Sequence, residues 1–278
     1  MNVPNKVGVL GGGRMGAGIA HAFLAAGAEV HVVDINAAAV EAARERVEKA
    51  IRGSLDRGAD GTFESWAQRL TLSTEAADFA GFPLVVEAVP ESMELKTQAF
   101  ANVSAAAPEA VIATNTSSLS VSELAGSVNN DVIGLHFFNP VPASKLVEVV
   151  IADSTPAELV EQAKGWVEAL GKTAVVVKDA PGFASSRLGV AIALEAIRMV
   201  EEGVASPRDI DNAMVLGYKF PIGPLELTDI VGLDVRLGIA EYLESQLGER
   251  FDPPQLMRDM VARGELGRKS GKGFYDYS

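Results

Sequence analysis

The chain has 278 residues, 48% of them hydrophobic, enough for a substantial core in one large domain or two smaller ones. Its 24 Lys and Arg face 37 Asp and Glu, a net charge of -13, which excludes the broad basic footprint that nucleic acid requires and leaves any anionic ligand to local groups. Cys is absent, so disulfide frameworks, thiolate zinc sites and cysteine nucleophiles are excluded together.

Met1 to Lys6 carry no charged-then-apolar signal pattern, and the apolar stretches are broken every few residues by Gly, charge or Pro. A cytoplasmic protein with no membrane segment is expected. The first candidate strand, Lys6-Val7-Gly8-Val9-Leu10, runs into Gly11-Gly12-Gly13-Arg14-Met15-Gly16 and then an apolar helix over 16–26. This matches G-x-G-x-x-G where the pattern carries meaning, between a strand and a helix. Gly11 allows a tight turn, Gly13 lets backbone approach a pyrophosphate, and Gly16 lets the helix pack close to the strand, while the helix N-terminus offers N–H groups to the anion. The next strand, Glu29-Val30-His31-Val32-Val33, ends at Asp34, 23 residues after Gly11, where an acid accepts hydrogen bonds from adenosine ribose hydroxyls and repels a 2′-phosphate. The nearest following base is Arg44, so NAD is favoured over NADP as the cofactor.

A helix over 37–55 follows, then strands over 84–88, 111–114, 132–135, 146–151 and 173–177, the alternation expected of βα units in a parallel sheet. Ligands in such sheets bind beyond the carboxyl ends of the strands. Glu91 and Lys96 follow the strand over 84–88; Asn115, Thr116, Ser117 and Ser118 follow the next; His136 and Asn139 follow the strand over 132–135. Of the three histidines, His21 falls inside a helix and His31 inside a strand, so both read as structural, and His136 alone reads as a general base at a strand exit. Glu148 interrupts an otherwise apolar strand. A buried carboxylate there needs a partner, for which His136 is the candidate; a solvent-facing Glu on an edge strand is the other reading. Glu87 is a second in-strand acid with no evident role.

After Lys178-Asp179-Ala180-Pro181-Gly182 the β-branched runs stop, which divides the chain into domains at 1–180 and 181–278. A long helix over 182–203 is expected from Val190, Leu194, Ile197 and Val200 at helical spacing. Ser206-Pro207-Arg208-Asp209 then starts a second helix, and 234–247 and 255–263 read as further ones. Residues 250–272 hold six bases against three acids, either a solvated face or an anion-contacting tail.

Gly11 to Gly16, Val86-Glu87-Ala88, Asn115-Thr116-Ser117-Ser118-Leu119, His136-Phe137-Phe138-Asn139-Pro140, Lys145-Leu146-Val147-Glu148-Val149, Pro181-Gly182-Phe183, Gly223-Pro224-Leu225-Glu226-Leu227 and Gly267-Arg268-Lys269-Ser270-Gly271-Lys272-Gly273-Phe274-Tyr275 occur in order along nearly the whole chain. Together they resemble the 3-hydroxyacyl-CoA dehydrogenase family, especially its short bacterial 3-hydroxybutyryl-CoA dehydrogenases. The resemblance implies an α/β class, a Rossmann-like, mostly parallel sheet with helices on both faces that binds NAD, followed by an all-α C-terminal domain that makes a homodimer, with the acyl-CoA between the domains. It implies reversible NAD-dependent oxidation of an (S)-3-hydroxyacyl-CoA, with His136 as base, Glu148 as its orienting carboxylate, and Ser117 touching substrate and nicotinamide. Gly11, Gly13, Arg14, Met15, Gly16, Asp34, Glu91, Lys96, Ser117, Asn139 and Lys269 match the cofactor contacts, and Ser117, Asn139 and Arg57 the substrate side. Where the family carries an active-site Asn after Pro-Gly-Phe, this chain has Ser186, whose hydroxyl is shorter and can reach through a water. A dehydrogenase of 3-hydroxyadipyl-CoA or of a free hydroxy acid on the same plan, and a non-catalytic NAD-binding protein, are the competing readings.

Overall fold

The computed structural model describes residues 2–278 and divides into two compact units, Met1–Ala180 and Pro181–Ser278. The first contains eight strands: β1 (Lys6–Leu10), β2 (Glu29–Val33), β3 (Leu70–Ser73), β4 (Leu84–Glu87), β5 (Val111–Thr114), β6 (Val132–Phe137), β7 (Leu146–Ile151) and β8 (Thr173–Lys178). They form one sheet in the order β3-β2-β1-β4-β5-β6-β7-β8. The strands from β3 to β6 are parallel, β7 pairs antiparallel with β6, and β8 follows β7, so the last two run against the other six. β4 and β6 are buried at every position, the mark of strands covered on both faces, and their Val, Ile and Leu runs follow from that.

Helices α1 (Arg14–Ala25), α2 (Ala37–Leu55), α3 (Phe63–Ala67), α4 (Met93–Ala106), α5 (Val121–Ala125) and α6 (Ala157–Ala169) connect the strands. Their starts are chemically marked. Asn36 accepts from Ala39 N at 2.9 Å, Thr62 and Ser65 form a reciprocal capping box, and Ser120 accepts from Glu123 N at 3.1 Å. The core joins Val7, Val9 and Val32 of the sheet to Ile19, Phe23 and Leu24 of α1 and to Val47 and Ile51 of α2.

Two sequence expectations need correction here. β6 continues through Phe137, so His136 lies within the strand and not just beyond it. Strand β3 and helices α4 and α6 were not anticipated; in α4 the buried stripe is Lys96, Ala99, Phe100 and Val103, helical spacing with a lysine in an apolar slot.

The second unit is helical: α7 (Ser185–Glu201), α8 (Pro207–Asn212), α9 (Pro224–Val231), α10 (Leu233–Leu247) and α11 (Gln255–Ala262). Val190, Leu194 and Ile197 of α7 pack with Leu225, Ala240, Leu243 and Met257. Helix α7 starts later than the expected 182 because Gly182 (φ 73°) and Phe183 (φ 50°) are left-handed and cannot continue a right-handed helix. Ser206 caps α8 through Asp209 N at 3.2 Å, with Pro207 at the first helical position, as its sequence demands.

Candidate active site

The carboxyl ends of β1, β4, β5 and β6, successive parallel neighbours in the first unit, lie along one edge of the sheet. At β1, Gly11 takes φ 96° and donates its N–H to Val33 O at 2.8 Å. A Cβ at Gly16 would collide with the Gly11 carbonyl, whereas one at Gly13 would meet only open space, so the loop is closed on its inner side and bare on its outer side. Backbone N–H groups on such a bare turn, at the head of α1, suit a pyrophosphate. Arg14 is exposed and Met15 half-buried in the first turn of that helix. Asp34 holds the loop: Oδ2 accepts from Gly12 N at 2.7 Å and Oδ1 from Ile35 N at 2.7 Å. Arg44, the base nearest in sequence, pairs with Glu41 instead. It is Arg46 that comes closest to the loop, donating to Gly12 O at 3.3 Å. Sequence reasoning missed it because only the packing of α2 brings it there.

At β4 and β5 the polar groups form one chain of contacts. Glu87 accepts from Lys96 Nζ (2.7 Å), Thr114 Oγ1 (2.7 Å) and Val89 N (2.6 Å). Lys96 also donates to Val89 O at 3.2 Å and lies 3.5 Å from Glu91 Oε2. Glu91 Oε1 gathers the next loop, accepting from Thr116 Oγ1 (2.7 Å), Ser117 N (2.8 Å), Ser117 Oγ (3.1 Å) and Ser118 N (3.0 Å). Burial alone would push the Glu91 carboxyl up, but the Lys96 ammonium and the donors from Thr116, Ser117 and Ser118 outweigh it and hold it below the usual carboxylate range. Lys96 is 1% exposed, so its ammonium is committed to this network. Glu87, which the sequence left without a role, is the network's inner end.

At β6, His136 stands directly opposite Glu148 of β7 in the antiparallel ladder. The ring Nδ1 is 2.8 Å from Glu148 Oε2, and the two residues are 6% and 0% exposed. The solvent-facing reading of Glu148 is thereby excluded. An imidazole whose Nδ1 faces a carboxylate carries its proton there in the neutral form and keeps the Nε2 lone pair for accepting another; the carboxylate then stabilises the imidazolium. Phe138 lies against the ring, tilted by 44° with 4.4 Å between centroids. Asn115 Oδ1 accepts from Phe137 N at 2.9 Å, tying the β5 exit to β6 beside this pair. Asn139 is exposed and precedes Pro140 through a cis peptide bond.

The remaining histidines are buried and hydrogen-bonded within the fold. His31 bonds Thr71 Oγ1 and Ser73 Oγ, and His21 bonds Ser54 Oγ at 2.9 Å. Burial first, then the nearby Arg57 and Lys172 charges, pull the His21 pKa down to about 4. Arg57 is exposed at the end of α2 and donates to Ser54 Oγ at 3.3 Å.

In the helical unit, Ser186 is the half-buried second residue of α7. Five of the six bases over 250–272 meet carboxylates of the protein. Arg258 pairs with Glu241, Arg263 and Lys272 with Glu265, Arg268 with Glu226, and Lys269 with both oxygens of Asp234 at 2.5 and 2.6 Å. Two buried acids that the sequence did not single out hold the closing segment. Asp229 accepts from Phe274 N and Tyr275 N, and Asp211 from Tyr275 OH as well as from Leu225 N and Glu226 N at the head of α9. Among the described residues no group of His, Asp and Glu is arranged to hold a metal.

The architecture and the sequence have close counterparts. The sequence model for the NAD-binding domain of 3-hydroxyacyl-CoA dehydrogenase matches residues 6–180, and that for the C-terminal domain of the same enzymes matches 182–277. A probable 3-hydroxybutyryl-CoA dehydrogenase of Bacillus subtilis is 41% identical, covering 98% of this chain and 97% of the relative. A 3-hydroxybutyryl-CoA dehydrogenase of Mycobacterium tuberculosis is 40% identical, with 98% of each chain covered. The crystal structure of (S)-3-hydroxybutyryl-CoA dehydrogenase from Ralstonia eutropha superposes with a TM-score of 0.94 at 36% identity, over 99% of both chains. With both family domains matched in order over a glycine loop, an Asp34 and a strand-end polar edge that fit a dinucleotide, the chain belongs to the 3-hydroxyacyl-CoA dehydrogenase family and is an NAD-dependent oxidoreductase.

Proposed function

We propose that the protein oxidises (S)-3-hydroxybutyryl-CoA, or a close (S)-3-hydroxyacyl-CoA, reversibly to the 3-ketoacyl-CoA, with His136 as the general base and Glu148 as its orienting carboxylate. The observation that carries this reading is the His136 Nδ1 to Glu148 Oε2 contact of 2.8 Å within a buried pair at the sheet edge. NAD, when bound, supplies the acceptor for the hydride that leaves C3. His136 takes the proton of the 3-hydroxyl through Nε2, and Glu148 keeps the ring in the tautomer that allows this. In the reverse direction the imidazolium returns the proton to the carbonyl oxygen. Ser117, ordered by Glu91, hydrogen-bonds near the reacting oxygen, and Asp34 accepts from the adenosine ribose. Glu91, Lys96, Asn139 and Lys269 belong to the cofactor side; Ser186 and Arg57 belong to the substrate side.

In this reading residues 1–180 bind the cofactor, and residues 181–278 pair two copies into a cytoplasmic homodimer. The exposed apolar side chains of Leu188, Leu216 and Tyr218, the last 75% exposed, support the pairing. No helix among the described residues is long and apolar enough to cross a membrane.

Single-turnover reduction of acetoacetyl-CoA by NADH tests the chemistry. His136→Ala is expected to slow hydride transfer by roughly 10²–10⁴, the usual contribution of a general acid or base, and Glu148→Gln by at least about tenfold. Near-normal transfer in both variants would overturn the assignment.

A further inference from the structure

Five donors converge on one oxygen, Glu91 Oε1: Thr116 Oγ1 at 2.7 Å, Ser117 N at 2.8 Å, Ser118 N at 3.0 Å, and the hydroxyls of Ser117 and Ser118 at 3.1 Å each. A carboxylate has about four lone-pair sites shared between its two oxygens. Oε1 is therefore oversubscribed. Its twin Oε2 has Lys96 Nζ at 3.5 Å, and the Glu91 side chain is 35% exposed, which leaves this carboxylate within reach of a donor from outside. The Lys96 ammonium and the converging donors keep the group ionised, so it has no proton of its own to give and can only accept.

These donors are not equally easy to remove. The two N–H groups are fixed by the backbone of the loop, and Thr116 is 1% exposed and also accepts from Leu119 N at 3.0 Å. The hydroxyls of Ser117 and Ser118 make the longest of the five contacts, belong to half-buried residues and turn about a single χ1. A further donor arriving at Oε1 takes its place at the expense of one of these two. Because Ser117 N stays on Glu91, the residue keeps its position while its Oγ turns away.

We propose that the hydroxyls of Ser117 and Ser118 are a displaceable pair on Glu91, and that cofactor binding at Glu91 releases the Ser117 hydroxyl for the substrate. This rests on the function proposed above, in which Glu91 lies on the cofactor side and Ser117 meets the reacting oxygen. Two vicinal ribose hydroxyls match the two oxygens of a carboxylate; Asp34 accepts from the adenosine ribose, which leaves the nicotinamide ribose for Glu91. One of its hydroxyls takes Oε2 and the other needs Oε1, where the serines make room. Ser118 is a positioning residue in this scheme, since its hydroxyl keeps Oε1 full enough that Ser117 has to leave. The acyl-CoA meets a free Ser117 Oγ once the cofactor is in place, so the cofactor binds first and each ligand strengthens the other.

Calorimetric titration of the full chain tests this with NAD and acetoacetyl-CoA, two oxidised ligands that do not react with each other. Ser118→Ala removes a competitor and is expected to tighten NAD by roughly two- to tenfold, the worth of one hydrogen bond, whereas loss of a merely structural contact would weaken it. Saturating NAD should tighten acetoacetyl-CoA by about fivefold or more in the native protein. The gain should be smaller in Ser118→Ala, where Ser117 can keep its bond to Glu91, and absent in Ser117→Ala. Ser118→Thr keeps the hydroxyl and should match the native protein in both titrations. NAD bound no tighter by Ser118→Ala, or tightened equally by Ser118→Thr, overturns the proposal. So does a native protein that turns over acetoacetyl-CoA but binds it with an affinity indifferent to NAD. Failure of the proposed function reads differently: the native protein reduces no acetoacetyl-CoA with NADH, while Ser118→Ala still tightens NAD and Ser118→Thr does not.

Discussion

Replacing Glu87 by Gln keeps the shape of the side chain and removes a charge that is 0% exposed. Lys96 Nζ would face a neutral amide oxygen in place of its 2.7 Å carboxylate partner, with Val89 O at 3.2 Å and Glu91 at 3.5 Å as its remaining contacts. Removing one member of a buried ion pair costs about 3–5 kcal/mol, and because Glu91 remains nearby the lower end, about 3 kcal/mol, is expected. Lys96→Met should cost a similar amount by stranding Glu87 with Thr114 and the Val89 amide. The two losses should not add. With both charges removed the carboxylate left behind is Glu91, which keeps its hydroxyl and amide donors from Thr116, Ser117 and Ser118, so the double variant is expected near the single ones, a coupling of at least about 2 kcal/mol. The assay is urea unfolding followed by intrinsic fluorescence. Both tryptophans, Trp66 and Trp166, lie in the first unit, so the signal reports that unit and the midpoint shift at constant slope measures its stability. A loss under about 1 kcal/mol for E87Q, together with additive single effects, would refute the view that this pair holds the strand ends. Since Glu91 hangs on the same lysine and orders Thr116 to Ser118, E87Q should also raise KM for NAD more than it lowers kcat.

The native protein excludes a proton from His21, whose pKa of about 4 lies below the unfolded 6.5. Between pH 6.5 and 4 the unfolded chain binds a proton that the folded one does not, so stability falls as pH drops, by on the order of 2 kcal/mol across the window; His21→Gln should flatten that slope in urea titrations, and parallel slopes would count against it. Asp34→Ser removes the carboxylate on Gly12 N and is expected to lower the preference for NADH over NADPH by tenfold or more in kcat/KM, an unchanged ratio refuting the role given to Asp34. Asp229→Ala deprives the Phe274 and Tyr275 amides of their acceptor, a loss of about 1–3 kcal/mol; hydrogen exchange should speed at those two amides while α7 stays protected, and unaltered exchange would show the closing segment to be held otherwise.

The glycine loop and Asp34 were readable in advance because their meaning lies in local spacing between one strand and the next. His136 and Glu148 were readable as residue types, since an acid in an apolar strand demands a partner. Their direct opposition was not, because nothing in the composition of 146–151 distinguishes a strand that reverses from one that continues the parallel set. Lys96 illustrates a different obstacle. A lysine on a helix is ordinarily a solvent-facing residue, and only Glu87, on a neighbouring strand, makes its burial tolerable. The stretch over 250–272 shows the reverse: its bases look unneutralised in sequence, while carboxylates from residues 226, 234 and 241 reach three of them through folding. Asp229 was overlooked because its partners are backbone amides, which carry no sequence signal.

If His136 and Glu148 act as proposed, the antiparallel turn from β6 to β7 makes catalytic competence a gauge of strand register. Side chains alternate between faces along a strand, so a slip of one residue in this ladder would carry Glu148 to the opposite side of the sheet from His136 while leaving most of the pairing intact. During refolding, turnover would therefore return only with molecules that have closed this ladder in register. A trapped population could regain its secondary structure and still be silent. The ratio of recovered activity to recovered circular dichroism would count such misaligned chains directly.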